Sequence, residues 1–316
     1  MKKFAPLFVI LAGVLWGSMG IFVRRLQSLN LNTMEIVALR AFSTTALLFI
    51  FLLVFDRDKL KIKLKDIWCF IGTGIVSILF FNFCYFKAIT VTSLSVACVL
   101  MYTAPAFVIV FSFFLFKEKL TKRKLLAFFL TFIGCCLVTG VFEELGLPLF
   151  VKGGGMLEGA AGSGMAAGLT GGLPEGISSV GILLGLGSGI GYAMYSIFSR
   201  FALKRGYSPI TITFYTFFAA SIGSVFLADL PQISIVVFSS GSTFLLSIAL
   251  GILNTILPYF FYTKGMQHME NGKAAIFASV EPVTATLIGF VLYNEILTIP
   301  GIAGVIAVII ALSISD

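Results

Sequence analysis

The sequence predicts an all-α integral membrane protein, with ten transmembrane helices arranged as two inverted five-helix repeats. Three observations predict it. Composition is the first: 59% of the 316 residues are apolar and only 11% are charged, and the mean hydropathy is +1.06. Soluble domains carry roughly 45–50% apolar and about 25% charged residues, so this chain has too little polar surface to cover a body in water. The second is a succession of apolar stretches close to the ~20 residues that a spanning helix needs. The third is a self-similarity between the two halves at an offset of 176–177 residues.

In chain order the predicted spans are 4–24, 34–55, 67–89, 93–116, 124–141, 179–200, 209–228, 242–263, 273–293 and 299–315. Met1-Lys2-Lys3 and the run after it imitate a signal peptide. That run is too long for a signal core and lacks a small-residue cleavage site, so a retained first span is expected. Breakers mark several joints: the charged run Asp56 to Asp66, Ser208-Pro209 before the seventh span, and Pro300 before the tenth. Residues 142–178 stand apart, with Gly153-Gly154-Gly155 and Gly171-Gly172 pointing to a Gly-rich linker outside the membrane, or else to an interfacial or re-entrant excursion. The expected domains are therefore 1–141, the linker 142–178, and 179–316.

The formal charge of +8 is spread as loop charge. Lys2 and Lys3, Arg57 to Lys65, Lys117 to Lys124, Arg200, Lys204, Arg205, Lys264 and Lys273 all fall on one side if the N-terminus is inside, and only Arg24, Arg25 and Lys152 on the other. This positive-inside bias predicts both termini in the cytoplasm, in a cell membrane, and leaves no basic groove for nucleic acid. The Arg24-Arg25 pair dissents, and snorkelling to headgroups accommodates it. Cys69, Cys84, Cys98, Cys135 and Cys136 all lie in apolar runs, as small buried hydrophobes do, with no disulfide framework. His268 is the only histidine, so neither a histidine triad nor a histidine metal cluster is expected. Gly187, Gly189 and Gly191 miss the dinucleotide spacing, and Gly272-Lys273 lacks the upstream glycine of a phosphate loop. No cofactor is expected, and ATP-driven pumping is disfavoured.

The repeat sets the architecture. An offset of 176 lays Gly13, Ile21, Phe22 and Arg24 over Gly189, Ile197, Phe198 and Arg200, with Trp16 over Tyr192. An offset of 177 lays Lys87, Pro105, Phe113, Leu115, Glu118, Leu120 and Thr121 over Lys264, Pro282, Phe290, Leu292, Glu295, Leu297 and Thr298. The polar coincidences are the informative ones, because an apolar composition does not supply them by chance. Five spans per half is an odd number, so equivalent helices run in opposite directions. Two such halves can exchange conformations, which suits a carrier working by alternating access.

The residues also resemble a known family. Gly13-x-x-Trp16-Gly17 with Arg24, Leu39-Arg40-Ala41, Tyr85-Phe86-Lys87-Ala88-Ile89, Ala104-Pro105 and Phe116-Lys117-Glu118-Lys119-Leu120 are similar to motifs of the drug/metabolite transporter superfamily, EamA type. So are Leu257-Pro258-Tyr259, Ser279-Val280-Glu281-Pro282-Val283 and Glu295-Ile296-Leu297-Thr298. The resemblance implies ten helices, a central cavity and transport of small organic solutes. The long 142–178 segment departs from that family's short connection.

Candidate site residues follow from depth. Glu281 falls near the middle of the ninth span, where a charge is costly enough to signal function. It is expected to bind a proton or a substrate amine, or else to brace the kink at Pro282. Arg40 is placed to meet Glu281 or a substrate carboxylate, or to snorkel. Lys87 and Lys264 sit nearer span ends and read as anchors. Pro105, Pro258 and Pro282 break helices at depth, which is tolerable where the freed backbone is buried or lines a wet cavity. Trp16, Tyr102, Tyr192, Tyr259, Asn82 and Asn254 are candidates to line that cavity, or to serve as lipid and interface contacts. The glycine pairs Gly13/Gly17 and Gly185/Gly189 place the first and sixth spans inside the bundle. The expected partners are the lipid bilayer, a small-molecule solute and, if the carrier is coupled, protons. The expected activity is secondary export of amino acids or similar metabolites, with a flippase for lipid or lipid-linked sugar as the alternative and an intramembrane enzyme as a third, disfavoured class.

Overall fold

The computed structural model describes residues 2–144 and 179–315, and the predicted linker 142–178 lies almost wholly outside them. Among the described residues the chain is entirely helical. The helices are α1 (Ala5–Gly17), α2 (Met19–Gln27), α3 (Thr33–Phe55), α4 (Ile67–Ile71), α5 (Phe80–Val91), α6 (Leu94–Met101), α7 (Ala104–Phe116), α8 (Lys122–Thr139) and α9 (Val141–Glu144). They continue with α10 (Ser179–Lys204), α11 (Pro209–Ser224), α12 (Leu230–Phe238), α13 (Gly241–Gly251), α14 (Leu257–Met266), α15 (Asn271–Ala278), α16 (Val280–Tyr293) and α17 (Ile299–Ser315).

Polar residues at the joints start these helices. Asn32 and Glu35 close a capping box at α3. Ser93, Thr121, Ser208, Asp229 and Ser240 each accept a backbone N–H of the helix that follows. Each such cap satisfies a donor that the first turn cannot pair with its own backbone. Proline occupies the first turn of α1, α7, α11 and α12, where its missing N–H costs nothing.

Among the described residues, seven helical segments are long and apolar enough to cross a membrane: Ala5–Gln27, Thr33–Phe55, Leu64–Val91, Leu94–Phe116, Ser179–Lys204, Gly241–Met266 and Asn271–Tyr293. The other three predicted spans fall on α8, α11 and α17, which have 18, 16 and 17 residues. At about 1.5 Å per residue these reach some 24–27 Å, short of a hydrocarbon core of about 30 Å. Helix α8 also opens on Lys122-Arg123-Lys124, which lowers its apolar character. Helix α12 falls in the joint between the seventh and eighth predicted spans. Large side chains such as Phe114 and Val291 are exposed on the outer surface, the inverse of a water-soluble body and suited to lipid.

Several segments are interrupted, two pairs of them at matching places. A break at Ser18 separates α1 from α2. Tyr102-Thr103 separates α6 from α7, and Ser279 separates α15 from α16. Wide π-helical turns run over Gly72–Leu79, before α5, and over Ile252–Ile256, before α14. Helix α10 packs on α5, α6 and α7, while α1 packs on α14, α15 and α16, the helices that correspond at the 177-residue offset. Close approach requires the small residues: a Cβ on Gly13 would strike the carbonyl of Ala278, and one on Gly189 the carbonyl of Leu100 and the hydroxyl of Thr103. Helices α8 and α17 pack through Gly134 and Gly304, neither of which has room for a Cβ. Thr45 and Ser221, 176 residues apart on α3 and α11, hydrogen-bond to each other at 3.0 Å.

Candidate functional site

The break at Ser279 puts Glu281 in the first turn of α16, where unpaired backbone N–H groups and the helix dipole favour a carboxylate. Helix α10 lies opposite. The Tyr192 hydroxyl donates to Glu281 Oε2 at 3.1 Å. Among the described residues no cation lies within ion-pair distance of Glu281, since the ion pairs formed involve other carboxylates. The carboxyl opens on a small cavity with about 360 Å³ of empty space including its mouth. The second break, at Tyr102-Thr103, supplies the facing wall of Met101, Tyr102, Ala104, Pro105 and Val108, and Tyr192, Ser196, Tyr262, Ala275, Ala278 and Ser279 complete it.

Trp16 sits at the centre of an aromatic cluster. Its ring centroid lies 6.4 Å from Tyr192, 5.0 Å from Tyr259 and 5.4 Å from Tyr262. Tyr195 packs on Tyr259 at 4.9 Å, and so does Phe217. Two hydroxyls are tied down: Tyr195 to Thr263 at 2.8 Å and Tyr262 to Ser196 at 2.7 Å. The indole Nε1 of Trp16 is buried without a hydrogen-bond partner.

A second polar group is built around the break at Ser18, two residues after Trp16. Asn254 donates to the Leu15 carbonyl at 2.5 Å and to Ser18 Oγ at 3.1 Å, and its Oδ1 has no partner. Arg40 is buried, with only 4% of its surface exposed. Its Nη1 meets Met19 Sδ at 3.2 Å, its guanidinium lies 6.0 Å from the Phe217 ring, and Tyr259 is in hydrogen-bonding reach. Its Nε has no partner, and it pairs with no carboxylate among the described residues. Neither the pairing with Glu281 nor snorkelling describes this guanidinium. Buried polar atoms are nearly always satisfied in native proteins, so orphaned atoms on Trp16, Arg40 and Asn254 around one helix break are informative.

The fold thus brings Trp16, Tyr102, Tyr192, Tyr259 and Glu281 around one cavity or its aromatic wall, with Asn254 at the Ser18 break and Arg40 beside Met19 and Phe217. It does not bring Asn82, whose amide turns back to the Ile78 carbonyl of its own helix at 2.7 Å. Pro105 lines the cavity, Pro282 follows Glu281, and Pro258 precedes Tyr259 at the exit of the π-turn. Lys87 is exposed and Lys264 half-buried. Sequence reasoning missed Tyr262, Ser196 and Ser279 in the wall, and Tyr195 behind it. A helical signal was present: Tyr259 and Tyr262 are three apart, and Tyr192, Tyr195 and Ser196 follow an i, i+3, i+4 pattern that shares one face. Among the described residues no three His, Cys, Asp or Glu cluster as metal ligands.

Comparison with known proteins agrees with this body plan. The sequence signature of the EamA-like transporter family matches residues 3–140 and again 179–315. An uncharacterized transporter of Archaeoglobus fulgidus is 28% identical over 306 residues, covering 96% of this chain and 92% of its own. The uncharacterized transporter YyaM of Bacillus subtilis is 24% identical over 286 residues, covering 87% and 82%. A solved structure, described only as "Crystal structure of protein", superposes with a TM-score of 0.73 at 17% identity, over all of this chain and 97% of the other, a likeness of fold alone.

Proposed function

Starting from the fact that this chain belongs to the EamA-like transporter family and is a membrane transporter, we propose that it is a secondary carrier exporting amino acids or similar small metabolites by alternating access. One observation carries the reading. The carboxyl of Glu281, with a single hydroxyl partner and no paired cation among the described residues, faces a cavity walled by broken helices from both halves of the chain. A carboxyl held in that way can take up a proton or a solute amine and release it without dismantling the fold. The surrounding tyrosines and Trp16 offer stacking and hydroxyl contacts to a small polar solute, and the buried Arg40 offers a fork for a carboxylate.

This reading takes 1–141 and 179–316 as two inverted five-helix repeats joined by 142–178, with ten helices in the membrane and both termini cytoplasmic. The matched breaks, the matched π-turns and the Thr45–Ser221 contact support the repeat. The short helices α8, α11 and α17 then cross at sites of local bilayer thinning, or do so flanked by polar residues that reach the interface. Coupling to protons follows if Glu281 is the group that titrates during transport.

The test is flux in proteoliposomes against a panel of amino acids and metabolites, with and without a proton gradient. Saturable flux of at least one solute is expected, lost in empty vesicles and accelerated by the gradient. Movement of headgroup-labelled lipid without any solute flux would replace this reading with a flippase.

A further inference from the structure

Two carboxylates leave identical scaffolds at opposite ends of the repeat and find different partners. Helix α7 ends with Lys117 in the left-handed region, at φ 57°, and α16 ends with Asn294 at φ 54°. The next residues are Glu118 and Glu295. Their backbone N–H groups return to Ser112 and Gly289 at 3.2 Å each. Thr121 then caps α8 at 3.2 Å, and Thr298 caps the start of α17 at 3.1 Å. Every local feature agrees, so the carboxylates differ only in what the tertiary structure offers them.

Glu118 caps α15. It accepts from the backbone N–H of Asn271 at 2.7 Å and of Gly272 at 3.3 Å. A Cβ on Gly272 would crowd Ile109 and Lys124, so the approach depends on that glycine. Lys124 braces the contact, 3.5 Å from Glu118 and 2.8 Å from Glu270. Arg200 fastens the same corner through Asn271 Oδ1 at 2.5 Å and the Met266 and Met269 carbonyls. Glu295, in contrast, pairs with Arg24 at 2.6 Å, beside Tyr293, and its Oε2 is buried with no hydrogen-bond partner. The repeat equivalents of Asn271 and Gly272 are Leu94 and Ser95, the first two residues of α6. The Ser93 hydroxyl takes the third N–H of that helix at 3.1 Å and leaves the first two without an intrahelical partner. Packing differs in the same sense. Helix α15 lies against α7, whereas the equivalent pair, α6 and α16, makes only marginal contact.

We infer that Glu118 and Glu295 are the two gate carboxylates of the carrier, used in turn. In the state described, the Glu118 end is latched and the Glu295 end is open. In the opposite state Glu118 releases the α15 N-terminus, α6 swings to α16, and Glu295 exchanges Arg24 for the N–H groups of Leu94 and Ser95. This rests on the alternating-access reading and adds the residues that hold each end shut.

The experiment measures two spin-label distances in the full chain in lipid nanodiscs. One pair, Lys119 with Gln267, spans the Glu118 end. The other, Thr90 with Ile296, is its repeat equivalent at the Glu295 end. All four side chains are exposed, and labels attached through a ketone-bearing amino acid leave the native cysteines in place. Glu118→Gln should lengthen the first distance and shorten the second, changing the ratio of states by about three- to tenfold, as expected when charged hydrogen bonds are weakened. Glu295→Gln, made in an Arg24→Gln background so that only the opposite state loses a partner of Glu295, should move both distances the other way. Leu94→Pro should act like Glu295→Gln, because it removes one N–H donor at a position where helices accept proline. The extended Ser93, at φ −136° and ψ 170°, tolerates the following ring. The latch is overturned if both glutamine variants shift the populations in the same direction, or if Leu94→Pro leaves them unchanged while Glu295→Gln moves them. If neither distance responds to any variant or to a transported solute, alternating access itself fails.

Discussion

Glu281 is half-buried and Asp66 buried, and the protein treats the two carboxylates in opposite ways. Asp66, 5% exposed, receives Arg205 Nε at 2.8 Å and the Tyr207 hydroxyl at 2.8 Å. Tyr207 also accepts from the Lys63 N–H at 3.0 Å, and burial pushes its hydroxyl up from the usual range, so it stays a donor. These contacts staple the joint after α3 to the joint after α10. Glu281 has one hydroxyl and a cavity. A buried charge with its full set of partners holds structure, and removing one partner costs the fold. A carboxyl short of partners and beside open space is available for exchange.

The sharpest break in this comparison would come from Glu281→Gln, which keeps the shape and one acceptor. We expect the proton-dependent component of flux to fall by an order of magnitude or more, with the yield of folded protein unchanged. Undiminished pH-dependent flux would put Glu281 in the same class as Asp66. Arg40→Gln comes next, since its guanidinium pairs with no carboxylate among the described residues: flux of carboxylate-bearing solutes should drop about tenfold, while neutral amines are spared. Equal loss for both kinds of solute would mean that Arg40 only packs. Asp66→Asn should do the reverse, lowering the thermal midpoint in detergent by the equivalent of about 1–3 kcal/mol with KM unmoved. Tyr192→Phe removes the one donor to Glu281 and should raise KM about threefold, checked by initial rates. The smallest effect belongs to Asp58→Asn. Its partner Lys61 lies 2.7 Å away and holds the carboxyl below its usual range. A depressed carboxylate stabilises above its unfolded value and loses that effect as pH falls, yet this pair is fully in solvent and screened. No change in thermal midpoint is expected between pH 5 and 8.

Much of the fold was legible because lipid imposes a severe composition on any helix that meets it. The long segments begin and end close to the predicted bounds, and Glu281 stood out because a charge inside such a run has few innocent explanations. Helix α12 was not legible, since nine residues opened by Asp229 and Pro231 carry too little periodicity to separate helix from joint. Asn82 looked as polar as Asn254, but whether an amide turns to its own backbone or across to α1 depends on the neighbour that comes within reach. Tyr195 and Tyr262 were hidden among many aromatics until α10, α14 and α1 were set side by side.

The sequence by itself determined a membrane-embedded helical body, its family, and the internal offset that relates Glu118 to Glu295 and Trp16 to Tyr192. These properties rest on hydropathy and on order along the chain, which are local or one-dimensional. Only the tertiary structure decided that Glu118 caps α15 while Glu295 pairs with Arg24, and that Glu281 meets Tyr192. Two equal scaffolds follow one sequence logic, but the partner each carboxylate meets is set by contacts between helices far apart in the chain.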